Sequence, residues 1–345
     1  MNELNTYILS LFTAGDKLRV TSLFQLLKGK RTSSVLMFGY LNGLLKHFGL
    51  FPKLTTKQYQ AAVNALVSKD YLMLITDNVA VITAAGSRLK TEKEFEVTAL
   101  NGVTFCNTAQ EFFDQLLFTT QVISELSYHE KEYLPVELNS FKQHRTKLWL
   151  QTKIVNYPEI NRQLYQEWVE LLPGLPEGTI ALLTGHNQIG KTYNQVRKDL
   201  SNRPLKQYLA KTNLMHQMIT TILMAKQSFP LFVSLFKLTH DSSGNHSASE
   251  SYRMYEKGLS VTEIMLRRQL KRSTVVDHII EGLILSDTLP SFELIPKQER
   301  EKLDAYRSLN SDFKVWRYGD VIETEPIVSF LSFRIYQIEL LREEK

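Results

Sequence analysis

The pattern Gly185-His-Asn-Gln-Ile-Gly190-Lys191-Thr192 has residue types and spacing suited to phosphate chemistry. In a nucleotide-binding loop the glycines let backbone amides approach a polyphosphate. The lysine neutralises the outer phosphates and the threonine hydroxyl holds magnesium. An apolar run, Ile180 to Leu183, precedes the pattern as a strand would. Hydrolysis also needs an acid at the end of another strand of a parallel sheet, to hold the metal, and no such strand is legible downstream. The same residues support a second reading. Thr192 and Gln195 have capping-box spacing, in which a hydroxyl and an amide side chain each satisfy one backbone N–H of a new helix. The run 176–184 reads equally well as a helix opened by Pro176. On this reading Gly185, Gly190, Lys191 and Thr192 are structural, and no nucleotide cofactor is expected.

Other catalytic constellations are not found. The eight histidines show no metal-ligand spacing, so no metal is expected. The single cysteine, Cys106, has no identifiable base and reads as a small buried residue. It also rules out an intramolecular disulfide and fits a reducing compartment. The chain is expected not to be an enzyme.

Two cationic clusters remain. Lys28, Lys30 and Arg31 stand next to Thr32, Ser33 and Ser34 at a predicted helix start, where amides, hydroxyls and cations suit a phosphate. A capped helix beside a solvated loop accounts for the same residues. The second cluster, Arg267, Arg268, Lys271 and Arg272, puts four cations in six residues at the junction of two predicted helices.

The elements around that junction are well marked. Gly258 breaks one helix. Ser260 and Glu263 form a capping box for the next, with Val261, Ile264 and Met265 as its apolar stripe and Arg267 and Arg268 at its negative end. After Gln269-Leu270-Lys271-Arg272, Ser273 or Thr274 caps a further helix whose buried face is Val275, Val276, Ile279, Ile280 and Leu283. A short helix, a tight turn and a second helix make a helix-turn-helix order. Two packed helices that touch no nucleic acid would read the same way.

The rest of the chain is mainly α. Helices are predicted from Leu4 to Phe12, Val20 to Leu27, Ser33 to Phe48 and Thr55 or Thr56 to Val67. Two apolar strands then flank Asp77-Asn78, a two-residue hairpin turn, and Thr83 opens another helix. Helices followed by a small hairpin give a winged-helix order over residues 1–90. Residues 91–238 read as a helical middle domain, with Trp149 and Trp168 in its core. Residues 239–251, THDSSGNHSASES, are polar and without apolar period, and read as a linker. Residues 252–345 continue helically through Glu299–Leu309, a basic-aromatic stretch at Phe313–Tyr318, and a closing helix from Glu325-Pro326. At 43% hydrophobic and 22% charged, 345 residues are enough for two or three ordinary domain cores. The net charge of +5 permits a polyanionic partner. The start MNELNTYILSLF has no basic end, so no secretory signal is expected. No apolar run reaches the ~18 residues of a membrane span. A cytoplasmic, nucleoid-associated location is expected.

The stretch SYRMYEKGLSVTEIMLRRQLKRSTVVDHI resembles the helicase helix-turn-helix domain. This module ends some RecQ helicases and also occurs in the YpbB-like family of RecQ-associated proteins. The matched positions are Tyr252 and Tyr255, Gly258-Leu259-Ser260, Glu263-Ile264, Arg268, Leu270 and Ser273-Thr274. The family usually has a small residue where Met265 stands, which shifts the packing of that helix. The N-terminal stretch from Leu18 to Phe51, with the hairpin and Thr83-Ala-Ala-Gly86, is similar to the winged-helix region that follows the RecQ motor. The resemblance implies a non-catalytic DNA-binding accessory protein acting with a RecQ-type helicase in DNA repair and recombination. Its phosphate contacts would be Lys28, Lys30, Arg31, Thr32, Ser33, Arg267, Arg268, Lys271 and Arg272. Base or groove contacts would come from the helix of Ser273 and Thr274, through Asp277 and His278. A protein-interaction adaptor and a transcription regulator are the alternatives, and a nucleotide hydrolase the least favoured.

Overall fold

The computed structural model describes residues 2–90, 95–156, 159–240 and 246–344. The chain divides into two compact units, each interleaved in sequence. The first comprises Met1–Leu11, Ala61–Tyr71 and Thr83–Ser243. The second comprises Phe12–Gln60, Leu72–Ile82 and Gly244–Lys345. This grouping differs from the serial division at residues 90, 238 and 251: most of the winged-helix segment counts with the C-terminal one.

The N-terminal elements follow the predicted order. Asn2 caps α1 (Glu3–Ser10) by accepting the Leu4 amide at 2.8 Å. A strand of two residues, β1 (Leu18–Arg19), leads into α2 (Val20–Lys28), which ends on the left-handed Gly29. The helix α3 (Ser33–Leu41) is shorter than the predicted Ser33–Phe48. The chain turns at Gly43, and a 3-10 turn follows at Leu45–His47. Then come α4 (Thr56–Val67), β2 (Leu72–Thr76), β3 (Val79–Ile82) and α5 (Ala84–Leu89). The two long strands pair antiparallel around Asp77-Asn78. β1 adds to the other edge of β3, giving the order β1-β3-β2. Leu18 opposes Ala80, and both are buried.

The first unit continues through α6 (Gly102–Phe105), α7 (Ala109–Ser127), α8 (Ser140–Asn156), α9 (Ile160–Leu171), α10 (Tyr193–Val196), α11 (Pro204–Met224) and α12 (Pro230–His240). Its core joins Phe112 and Leu116 of α7 to Ile219 and Ile222 of α11 and to Phe232 and Leu235 of α12. Trp149 and Trp168 lie in this core. Their indole N–H groups donate to Ser234 Oγ at 2.9 Å and Thr120 Oγ1 at 3.0 Å, which lets an amphipathic ring be buried with its polar atom satisfied. Glu167 is fully buried, and its carboxylate accepts the Leu231 and Phe232 amides at 2.8 and 2.9 Å. An anion at the start of α12 meets the positive end of its dipole. Burial still pushes the Glu167 carboxyl up.

The second unit closes with α13 (His246–Glu256), α14 (Val261–Arg268), α15 (Arg272–Leu285), α16 (Lys297–Leu309), α17 (Tyr318–Thr324) and α18 (Phe330–Glu343). The predicted linker 239–251 is largely structured. Thr239 belongs to α12, residues 246–251 are helical, and Ser251 is fully buried; residues 241–245 lie outside the described residues. The last helix starts at Ser329, whose side chain caps it, and Pro326 lies in the turn before it. The middle of this unit is α15, which packs against α3, α13, α14 and α18.

Candidate nucleic-acid interface

Local chemistry sets the helix pair. Ser260 Oγ accepts the Glu263 amide at 3.2 Å, and Glu263 Oε2 accepts the Ser260 amide at 2.8 Å. The hydrogen bonds from Ser260 hold the Glu263 carboxyl below its usual value. At the other end of α14 the chain reverses at Gln269, φ 53°, and the Leu270 amide reaches back to the Met265 carbonyl at 3.2 Å. This is the left-handed helix end that glycine usually occupies. A side chain there is strained, so Gln269→Gly is expected to stabilise the second unit by about 1 kcal/mol. Urea unfolding of the two proteins checks it, and a lower midpoint for the variant would be the wrong sign.

The next helix starts earlier than predicted. Lys271 is the N-cap of α15 and makes no side-chain cap. Ser273 and Thr274 lie in the first turn instead, Ser273 exposed and Thr274 half-buried. The first-turn amides are therefore left to solvent or a ligand. The exposed residues Arg267, Lys271 and Arg272 surround that open end in sequence.

Residues of the first cluster meet α15, but none of the four cations of the second lines the meeting place. Arg31, Ser33, Thr274 and His278 line one polar cavity of about 310 Å³, together with Asp277 and Glu281. Its one arginine is already paired. Arg31 donates to Glu281 with both Nε and Nη2 at 2.8 Å and lies over the Phe48 ring. Arg268 pairs with Glu250 at 3.0 Å and donates to the Ser247 carbonyl and the Ser251 hydroxyl, tying α14 to α13. Ser251 Oγ is also 2.9 Å from His278 Nδ1. Burial, and then Arg268, pull the His278 imidazole down. A phosphate on Arg31 or Arg268 would have to displace these partners. Lys28, Lys30, Arg267, Lys271 and Arg272 are exposed, Thr32 is half-buried as the N-cap of α3, and Ser33 is buried.

The predicted base contacts, Asp277 and His278, are half-buried on α15. Val275, Val276, Ile279, Ile280, Leu283 and Ile284 are all buried. Asp277 and His278 face the α3 and α13 residues named above. Ser273 is exposed at the start of α15 and Leu285 at its end, and Asp277, His278 and Glu281 between them are half-buried. The winged-helix α3 is similarly enclosed, with seven of its residues buried, Ser33 to Leu41 except Ser34 and Phe38.

The phosphate-loop pattern folds otherwise than as strand, loop and long helix. A 3-10 turn at Thr179–Leu182 precedes it, and the four-residue α10 follows. Most of the loop's amides are satisfied within the chain. Gly185 and Gln188 bond each other at 2.9 and 3.0 Å, and Gly190 donates to Thr184 Oγ1 at 3.0 Å. Lys191 donates to the Ala181 carbonyl at 2.6 Å, and Thr192 to Gln195 Oε1 at 2.8 Å. A Cβ on Gly190 would sit 2.6 Å from the Leu182 carbonyl oxygen, so close backbone approach accounts for that glycine. The Thr192–Gln195 capping box is formed. The helix it opens ends at Val196, where Arg197 turns to Glu96 and Asp199.

The capped α14, its left-handed turn and α15 make the C-terminal segment a helix-turn-helix domain, and a family model of that description matches residues 247–334. Modules of this class bind DNA. The chain is similar to Protein YpbB of Bacillus subtilis (strain 168), 23% identical over 274 residues, or 76% of this chain and 76% of that protein. No solved structure matches. Among the described residues, no helix is long and apolar enough to cross a membrane.

Proposed function

We propose that this chain is a non-catalytic DNA-binding accessory protein that works with a RecQ-type helicase in repair and recombination. The observation that carries the DNA contact is the open N-terminus of α15, with Lys271, Arg272 and Arg267 exposed beside it. Helix amides and flexible cations at one place hold a phosphate without reading a base. The helicase partnership rests on two stretches of this sequence that resemble modules of RecQ helicases, Leu18–Gly86 and Ser251–Ile279.

Duplex binding measured by fluorescence anisotropy over a salt series tests the α15 site. Removing one phosphate-bound cation lowers the slope of log K against log salt by about 0.9, so Lys271→Ala with Arg272→Ala is expected to lower it by about 2. An unchanged slope in that variant sinks the assignment. A pull-down against the host's RecQ-type helicase tests the partnership. Retention after nuclease is expected, and no retention with or without nuclease overturns it.

A second reading, a protein-interaction adaptor, is favoured by one feature of the first unit. Leu134, Val136, Leu138 and Phe141 are 85%, 50%, 80% and 72% exposed within eight residues. Binding through such apolar surface is insensitive to salt, and binding through cations is not.

A further inference from the structure

The second unit holds a larger cleft, of about 750 Å³, to which no predicted site residue except the neighbouring Ser34 belongs. Residues from four separate stretches line it. Lys17 and Arg19 precede α2; Ser34 and Phe38 belong to α3 and Asn42 is its C-cap; Ile75 and Val79 belong to the hairpin; Asp312, Lys314, Arg317, Tyr318 and Arg334 come from the C-terminal end. Its charge is unbalanced. Five cations (Lys17, Arg19, Lys314, Arg317, Arg334) face two acids, Asp16 and Asp312. Lys314 is paired with Glu344 at 3.1 Å. Among the described residues Arg19, Arg317 and Arg334 have no ion pair.

Arg334 is the unusual member. Its guanidinium lies over Phe330 and Phe333, 5.1 and 4.9 Å from the ring centroids. Nη1 donates to Gln337 at 2.7 Å, while Nε is buried without a hydrogen-bond partner. Burial, and then Arg19, pull the group down to about 10. A desolvated cation beside a second cation costs free energy, and among the described residues no carboxylate pairs with it. An anion in the cleft would offset that cost. Three guanidiniums favour phosphate, which their planar forks match, over a single carboxylate. The lining also includes Phe38, Tyr318 and Ile75, which offer flat and apolar surface. Cations along a groove with aromatic surface between them suit single-stranded nucleic acid, whose unpaired bases can stack; a duplex keeps its base faces covered.

We propose that this cleft binds single-stranded DNA, with Arg19, Arg317 and Arg334 on the phosphates and Tyr318 and Phe38 against the bases. It is a second DNA site, apart from the α15 end, and it rests on the reading of the chain as DNA-binding.

Anisotropy of labelled oligo(dT) and of a labelled hairpin duplex tests it. Arg19 and Arg317 are exposed, so their replacement leaves the core intact. Arg19→Ala with Arg317→Ala is expected to weaken oligo(dT) binding by about tenfold or more and to leave duplex binding near wild type. Asp16→Asn with Asp312→Asn is expected to tighten oligo(dT) binding, a gain that misfolding cannot produce. Unchanged oligo(dT) affinity in either variant overturns the proposal, as does equal weakening of both probes. A wild-type protein that binds the duplex but not oligo(dT) overturns the cleft alone. One that binds neither overturns the DNA-binding reading itself.

Discussion

Gly282→Ala is expected to cost the second unit about 3 kcal/mol or more, and to abolish helix-turn-helix DNA binding with it. Alanine normally favours a helix interior over glycine by about 1 kcal/mol, so the expected sign is opposite to propensity. The reason is Tyr252. A Cβ on Gly282 would lie 2.0 Å from Tyr252 Cγ, 2.2 Å from Cδ2 and 2.6 Å from Cβ. These atoms are the root of the side chain, so the ring cannot swing clear by rotating its far end. Either α13 or α15 must move. Such a shift would also disturb the Ser251, Arg268 and His278 hydrogen bonds that join α13 to α14 and α15. Tyr252→Ala removes the obstructing ring, and the double variant is expected to be less destabilised than the sum of the single variants. Urea midpoints for the four proteins measure this coupling. A Gly282→Ala protein as stable as wild type, or strictly additive effects, would show that the helices are not locked at this point.

The close approach of Gly282 to Tyr252 illustrates which parts of the molecule could be read from sequence. Ser260 and Glu263 are three residues apart, and their capping box forms as their spacing requires. The hairpin at Asp77-Asn78 and the cap at Thr192 and Gln195 are equally local, and both are legible. Two kinds of feature are not. Very short or polar elements carry no period: β1 has two residues, and α13 opens with His-Ser-Ala-Ser yet buries Ser251. Long-range pairings carry no sequence signal at all. Arg31 looks like a phosphate ligand until Glu281, 250 positions away, is found beside it. The cleft of Arg19, Arg317 and Arg334 is assembled from segments that no window of sequence contains. Cation counts could mark candidate clusters. They could not tell a cation facing solvent from one already holding a carboxylate.

Acid is expected to destabilise both units through two histidines that are buried neutral. His216 is fully buried in the first unit, where its Nδ1 accepts the Asn101 amide at 2.9 Å and Nε2 has no partner. Burial lowers it to about 4. In the second unit, burial and then Lys46 lower His47 to about 3. An unfolded histidine titrates near ~6.5. Above that pH neither state is protonated, so stability is at its full value. As pH falls through this value the unfolded chain gains protons that the folded chain refuses, and stability declines until each folded value is reached. The loss is about 1.4 kcal/mol per histidine per pH unit, so each costs about 2–3 kcal/mol at roughly pH 4.5. Glu167, Glu339 and Asp114 work in the opposite direction, because burial pushes their carboxyls up and the folded chain then takes protons more readily. The histidine contribution is therefore isolated by difference. His216→Gln keeps an acceptor for the Asn101 amide and cannot gain charge. Between about pH 7 and about pH 4.5 its unfolding free energy is expected to fall by about 2–3 kcal/mol less than that of wild type. Parallel pH profiles for the two proteins would mean that His216 is protonated in the fold, with Nε2 finding a partner on the way.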